Sequence, residues 1–103
     1  MNDFKGRTAV ITGAASGFGL QCARIAAQQG MNVVMADVQA DALATSVTEV
    51  EALGAVVLAY RLDVSKADQV EAMAAATRRR FGAPHFVFNN AGVGSGGLIW
   101  ENS

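Results

Sequence analysis

With 103 residues, 51% of them apolar and 17% charged, the chain has the length and composition of one folded domain, spanning 1–103. A formal net charge of −1 excludes a disordered polyelectrolyte and offers no electrostatic surface to nucleic acid or to an anionic membrane. The lone Cys22 cannot close an internal disulfide, and the polar start MNDFKGR lacks the apolar centre of a secretion signal, so a cytoplasmic setting is expected.

Four short runs rich in β-branched residues lie at 8–12 (TAVIT), 32–36 (NVVMA), 55–60 (AVVLAY) and 85–89 (HFVFN). Continuous apolar runs of this length suit strands covered on both faces. Between the first two, residues 17–29 carry Phe18, Cys22 and Ile25 at helical spacing and end at Gly30. Residues 40–53 set Leu43, Val47, Val50 and Leu53 on one face and end at Gly54. A third stripe, Val70, Met73, Ala74, Thr77 and Phe81, predicts a helix opened by a Ser65/Asp68 capping box and closed by Gly82 and Pro84. The order β-α-β-α-β-α-β implies an α/β fold with a parallel sheet and helices on both faces. Few windings remain when crossovers are right-handed, and the favoured one is half of a doubly wound sheet with strand order 3-2-1-4. Ligands bind such sheets at the carboxyl ends of the strands, where the chain reverses direction.

Two motifs flank that point, TGAASGFG after the first strand and NNAG after the fourth. Gly13 and Gly17 remove side chains where an anion would approach the backbone, and the free amides and positive dipole end of the first helix face the same place, which makes a pyrophosphate cradle. Gly19 lets that helix pack closely on the sheet. The spacing is G-x-x-x-G-x-G, and no Gly-Lys-Ser/Thr follows as a triphosphate loop would require. The bland alternative is a plain tight turn. Asp37, at the end of the second strand, has the position of a carboxylate that accepts from both hydroxyls of an adenosine ribose. It would repel a 2′-phosphate, and Ala14, Ala15 and Ser16 include no cation to attract one, so NAD is expected over NADP. As a purely structural residue, Asp37 would cap the second helix. Asp63, in LDVS at the third strand end, could accept from the adenine amine while the Val64 amide donates to the ring; as a structural residue it would serve a turn.

These four motifs, in this order and register over residues 5–103, resemble the N-terminal half of a short-chain dehydrogenase/reductase. The resemblance implies a Rossmann-type sheet and an NAD-dependent oxidoreductase that moves hydride between nicotinamide and an alcohol or ketone substrate. It assigns the pyrophosphate and adjoining ribose to Gly13, Ser16, Gly17, Phe18 and Gly19, the NAD preference to Asp37, adenine to Asp63 and Val64, and the nicotinamide-side ribose to Asn90, Ala91 and Gly92. The family's catalytic serine, Tyr-x-x-x-Lys pair and further asparagine fall beyond residue 103, so the chain is expected to be a fragment that carries the cofactor site and no catalytic residue, inactive alone and homo-oligomeric when full length. The alternatives are a non-catalytic dinucleotide-binding or interaction module and a methyltransferase-like sheet for S-adenosylmethionine.

Other reactive residues read as structural. Tyr60 has no lysine four positions on and belongs to a strand. His85 precedes the fourth strand at the end away from the motifs and reads as a surface residue, Cys22 as a small apolar group facing the sheet, and Arg78, Arg79 and Arg80 as a solvated helix end. Ser95 reads as a loop residue and not a nucleophile.

Overall fold

A computed structural model describes residues 5–15, 17–63 and 65–89. The elements run β1 (Thr8–Thr12), α1 (Gly17–Gln28), β2 (Asn32–Asp37), α2 (Ala40–Glu51), β3 (Val57–Arg61), α3 (Ala67–Phe81) and β4 (Phe86–Asn89). The four strands form one parallel sheet in the order β3-β2-β1-β4. In register, Val10 lies beside Val34 and Val87, and Val34 beside Leu58. This is the first half of a Rossmann-type sheet, as the alternation of runs predicts.

The two central strands are buried on both faces because their side chains alternate between two cores. Ala9, Ile11, Val33 and Met35 join one core with Ala23, Ala26 and Ala27 of α1 and Leu43 and Val50 of α2. Val10, Val34 and Ala36 join the other with Leu62 and Met73. The expectation of two covered faces holds only in part at β3, the edge strand: Val57 is buried in one core and Leu58 and Tyr60 are half-buried against the other, but Ala59 and Arg61 are exposed.

The stripes of α2 and α3 face inward as read, with Leu43 and Val50 buried in the first and Met73 and Thr77 in the second. Leu53 is the exception: it follows the last turn of α2 and is exposed. In α1 the reading holds for Gly19 and Cys22, which lie against the sheet and its core, and fails for Phe18 and Ile25. The buried residues of α1 are Gly19, Ala23, Ala26 and Ala27, while Phe18 and Ile25 are 55% and 58% exposed. Cys22 is partly buried at the boundary, beside Ile25, Phe86 and Phe88 in an apolar groove between α1 and β4. Small side chains let a helix lie closer to the layer beneath it, so the inward face of α1 is the one with the least bulk.

The capping box is also absent. Lys66 is the N-cap of α3 and makes no side-chain cap bond, because Ser65 is taken up by Asp63, whose Oδ1 accepts from both its amide and its hydroxyl. At the other end Gly82 closes α3 with φ 84° and donates its amide to the Arg78 carbonyl, as expected. Tyr60 is a β3 residue, and Arg78, Arg79 and Arg80 occupy the last turn of α3. His85 is half-buried and more than a surface residue: its Nδ1 accepts the Thr8 amide at 3.2 Å while its own amide donates to the Thr8 carbonyl at 2.9 Å, extending the β1–β4 pairing by one residue.

Candidate functional site

Parallel pairing puts every strand's carboxyl end on one side of the sheet, and the sequence motifs gather there. Gly13 leaves β1 with φ 68°, and Gly17 begins α1 with φ 59°. Both values lie in the left-handed region, where a Cβ is penalised, so the glycines answer a backbone requirement. A Cβ built on Gly17 would meet nothing within 4 Å among the described residues, which leaves the start of α1 open to an approaching group. Phe18 is exposed in that first turn, and Gly19 is buried against the sheet.

The first turn of α1 contains no acidic residue, whereas α2 and α3 carry Asp41 and Asp68 at the same place. Carboxylates near a helix N-terminus offset its partial positive charge. The first turn of α1 carries no such carboxylate of its own, and free amides at a helix start bind anions.

Asp37 ends β2, next to the loop. Its Oδ2 accepts the Ala15 amide at 3.0 Å, and its Oδ1 accepts the Gln39 amide at 3.0 Å. The helix-cap alternative does not hold: the N-cap of α2 is Gln39, and Asp37 bonds the N-cap's own amide, not one inside the first turn. Two further bonds fix the loop. The Ala14 amide donates to the Ala36 carbonyl at 3.1 Å, and the buried Ser46 hydroxyl donates to the Ala15 carbonyl at 2.8 Å.

Asp63 follows β3 at the same sheet end, half-exposed. Its Oδ1 accepts the Ser65 amide at 2.9 Å and the Ser65 hydroxyl at 2.8 Å, which hold its carboxyl below the usual aspartate range, with a smaller contribution from the Lys66 ammonium. The turn reading of Asp63 is thus correct as far as Oδ1 goes. Its amide donates to Gln69 Oε1 of α3 at 2.8 Å, which ties the strand end to the following helix. Between the two carboxylates, the Leu62 amide donates to the Asp37 carbonyl at 3.1 Å.

Gly13, Gly17, Phe18, Gly19, Asp37 and Asp63 therefore share the carboxyl end of the sheet, while Ser16, Val64, Asn90, Ala91, Gly92 and Ser95 lie outside the described residues. Ser46, Gln69 and Thr12 are additions that the sequence reading missed. Thr12, buried at the end of β1, donates its hydroxyl to the Phe88 carbonyl of β4 at 3.4 Å. Ser46 had a visible signal, since it is the one hydroxyl inside the stripe Leu43, Val47, Val50. Among the described residues no cluster of His, Cys, Asp and Glu could hold a metal ion, and no helix is long and apolar enough to cross a membrane.

The arrangement matches known proteins. Residues 7–102 match the short chain dehydrogenase family. A short-chain dehydrogenase/reductase from Burkholderia phymatum, solved in complex with NAD, is 51% identical with a TM-score of 0.86, over 100% of this chain and 37% of that one. L-sorbose reductase from Gluconobacter frateurii, solved with NADPH and L-sorbose, is 35% identical with a TM-score of 0.83, over 89% of this chain and 36% of that one. Cyclohexanol dehydrogenase from Acinetobacter sp. (strain SE19) is 38% identical over 92 residues, 89% of this chain and 37% of that protein. The chain thus spans little more than a third of the length of these relatives. A parallel 3-2-1-4 sheet, a glycine loop opening α1 and a family match over nearly every residue lead to one assignment: the chain belongs to the short-chain dehydrogenase/reductase family of oxidoreductases.

Proposed function

We propose that residues 1–103 form the cofactor-binding part of an NAD-dependent short-chain dehydrogenase/reductase acting on an alcohol or ketone. The observation that carries this reading is the hydrogen bond from Ala15 to Asp37, which joins the glycine loop to the acidic end of β2 in one surface. The residues fit a dinucleotide. The start of α1, open at Gly17 and without an acid in its first turn, suits the pyrophosphate. Asp37 keeps lone pairs for ribose hydroxyls and opposes a 2′-phosphate, and no lysine or arginine occurs from Gly13 to Gly19 to offset it, which supports NAD over NADP. Asp63 Oδ2, outside the Ser65 turn, is the acceptor for the adenine amine, with the Val64 amide donating to the ring. Gly13, Ser16, Phe18 and Gly19 complete the pyrophosphate side, and Asn90, Ala91 and Gly92 border the nicotinamide-side ribose.

When bound, the nicotinamide supplies hydride transfer to or from the substrate carbon. This chain's part is to bind and orient: the loop amides hold the anion, and the two carboxylates hold the adenosine half. Proton transfer to or from the substrate oxygen needs a general acid at that oxygen. Tyr60 is followed by Arg61, Leu62, Asp63 and Val64 and so lacks the family's lysine partner. The 103-residue chain is therefore inactive alone, and the full-length enzyme is a cytoplasmic homo-oligomer.

Calorimetric titration with NAD, NADP and S-adenosylmethionine tests the reading. NAD is expected to bind most tightly; tighter binding of NADP overturns the role of Asp37, and tighter binding of S-adenosylmethionine overturns the dinucleotide itself.

A further inference from the structure

Helix α2 carries three hydroxyls in its middle turns, and they behave differently. Thr45 and Thr48 are exposed and bond back into their own helix, to the carbonyls of Asp41 at 3.3 Å and Ala44 at 3.1 Å. That is the usual habit of a helical hydroxyl. Ser46 is 3% exposed and bonds out of its helix, to the Ala15 carbonyl at 2.8 Å. A hydroxyl buried among Leu43, Val47 and Val50 is retained at a desolvation cost unless it is satisfied, and here the partner that satisfies it is the glycine loop.

Ala15 is consequently held at both ends, its carbonyl by Ser46 and its amide by Asp37, while Ala14 before it is held by Ala36. All three anchors belong to the β2–α2 segment, the side on which the ribose would sit. We infer that Ser46 is a positioning residue for the dinucleotide: acting through the Ala15 carbonyl, it fixes the direction in which the loop enters α1 and so the aim of the first-turn amides at the pyrophosphate. The inference rests on the dinucleotide reading above and extends it to a residue that touches no ligand. Without the hydroxyl, the carbonyl of the buried Ala15 loses its partner among the described residues, and turning toward water restores one. The aimed conformation then becomes a minor one, and apparent affinity falls by its lost population.

The test uses the full chain in three forms, parent, Ser46→Ala and Ser46→Thr, with calorimetric titration of NAD and amide hydrogen exchange in the ligand-free state. Ser46→Ala is expected to weaken NAD binding roughly tenfold, equivalent to about 1.4 kcal/mol, and Ser46→Thr, which restores the hydroxyl, to return most of it. Exchange at the Ala15 amide is expected to accelerate in Ser46→Ala well beyond exchange at the Leu43 amide inside α2. A merely structural serine would accelerate both alike. Equal acceleration at the two amides, parent-like affinity in Ser46→Ala, or an equal loss of affinity in both variants overturns the inference. A parent chain that exchanges as expected yet does not bind NAD overturns the dinucleotide reading instead, because the exchange rates judge the clamp without ligand.

Discussion

Replacing Gly17 by alanine puts a number on the claim that the loop serves an anion. With φ at 59°, a residue bearing a Cβ is disfavoured by about 1–2 kcal/mol. Beyond its chain neighbours and the helix's own backbone, no described atom lies within 4 Å of where that Cβ would be, so the local backbone sets the cost. The variant has two ways to respond: keep the conformation and lose that much stability, or relax the loop and lose the aimed amides. In the second case the strain is transferred to binding, and 1–2 kcal/mol corresponds to roughly a five- to thirtyfold weaker NAD complex. Gly54 is the matched control, because it too has positive φ, at 98°, and open space around its Cβ, but it follows α2 at the opposite end of the sheet. Urea unfolding should show both alanine variants destabilised, and calorimetry should show NAD affinity reduced only in Gly17→Ala. Gly17→Val, with a branched side chain in the same conformation, should lose more than Gly17→Ala. If Gly17→Val, whose branched side chain stands at the α1 terminus whichever way the backbone responds, binds NAD as tightly as the parent, the α1 terminus is not the anion site.

Two ionisable groups give further checks. The Asp63 carboxylate is held low chiefly by the Ser65 amide and then by its hydroxyl, so its stabilising effect is present above the usual aspartate pKa and is lost as pH falls through the depressed value. A carbon-detected NMR titration should place its midpoint below the usual aspartate range, and Ser65→Ala should move it upward; an unmoved midpoint would remove Ser65 as a cause. Burial pushes the Cys22 thiol up, which favours the neutral form in the folded chain. Its contribution is present below the ordinary thiol range and lost as pH rises through the elevated value. Alkylation by iodoacetamide at pH 8 should run slower in the folded chain than in urea, and equal rates would contradict the burial of Cys22 beside Phe86 and Phe88.

Local chemistry made most of the fold readable. The run TAVIT is a strand with the limits its composition implies, and Gly30, Gly54 and Gly82, all with positive φ, follow the three helices they were expected to end. The site was readable as a set of strand ends because parallel topology carries each of them to the same edge. What could not be read was which groups satisfy one another across the chain. Ser65 had two partners within reach, Asp68 ahead and Asp63 behind, and turn geometry chose the nearer. The bond of Ser46 to Ala15 spans 31 residues and that of Ala15 to Asp37 spans 22, distances at which periodicity carries no information.

The exposure of Phe18 and Ile25 on α1 fits the function proposed for its N-terminus. Apolar bulk is a fair guide to the buried side of a helix when the gap beneath it must be filled, as under Leu43 and Val50 of α2. A helix that must begin within a few residues of a strand end, with its first amides level with the sheet edge, has the opposite need. Gly19, Ala23, Ala26 and Ala27 meet it, since a glycine and three alanines leave little between the helix backbone and Ala9, Ile11, Val33 and Met35. Phe18 and Ile25 are thereby placed outside, Phe18 in the exposed first turn and Ile25 in the groove shared with β4. The feature that defeats a hydrophobicity argument is thus the one that brings the positive end of α1 to the glycine loop: close packing fixes the height of the helix, and the clamp on Ala15 fixes the approach to it. Exposed bulk beside a small-residue face, directly after a glycine loop, is a sign of a helix placed for its terminus.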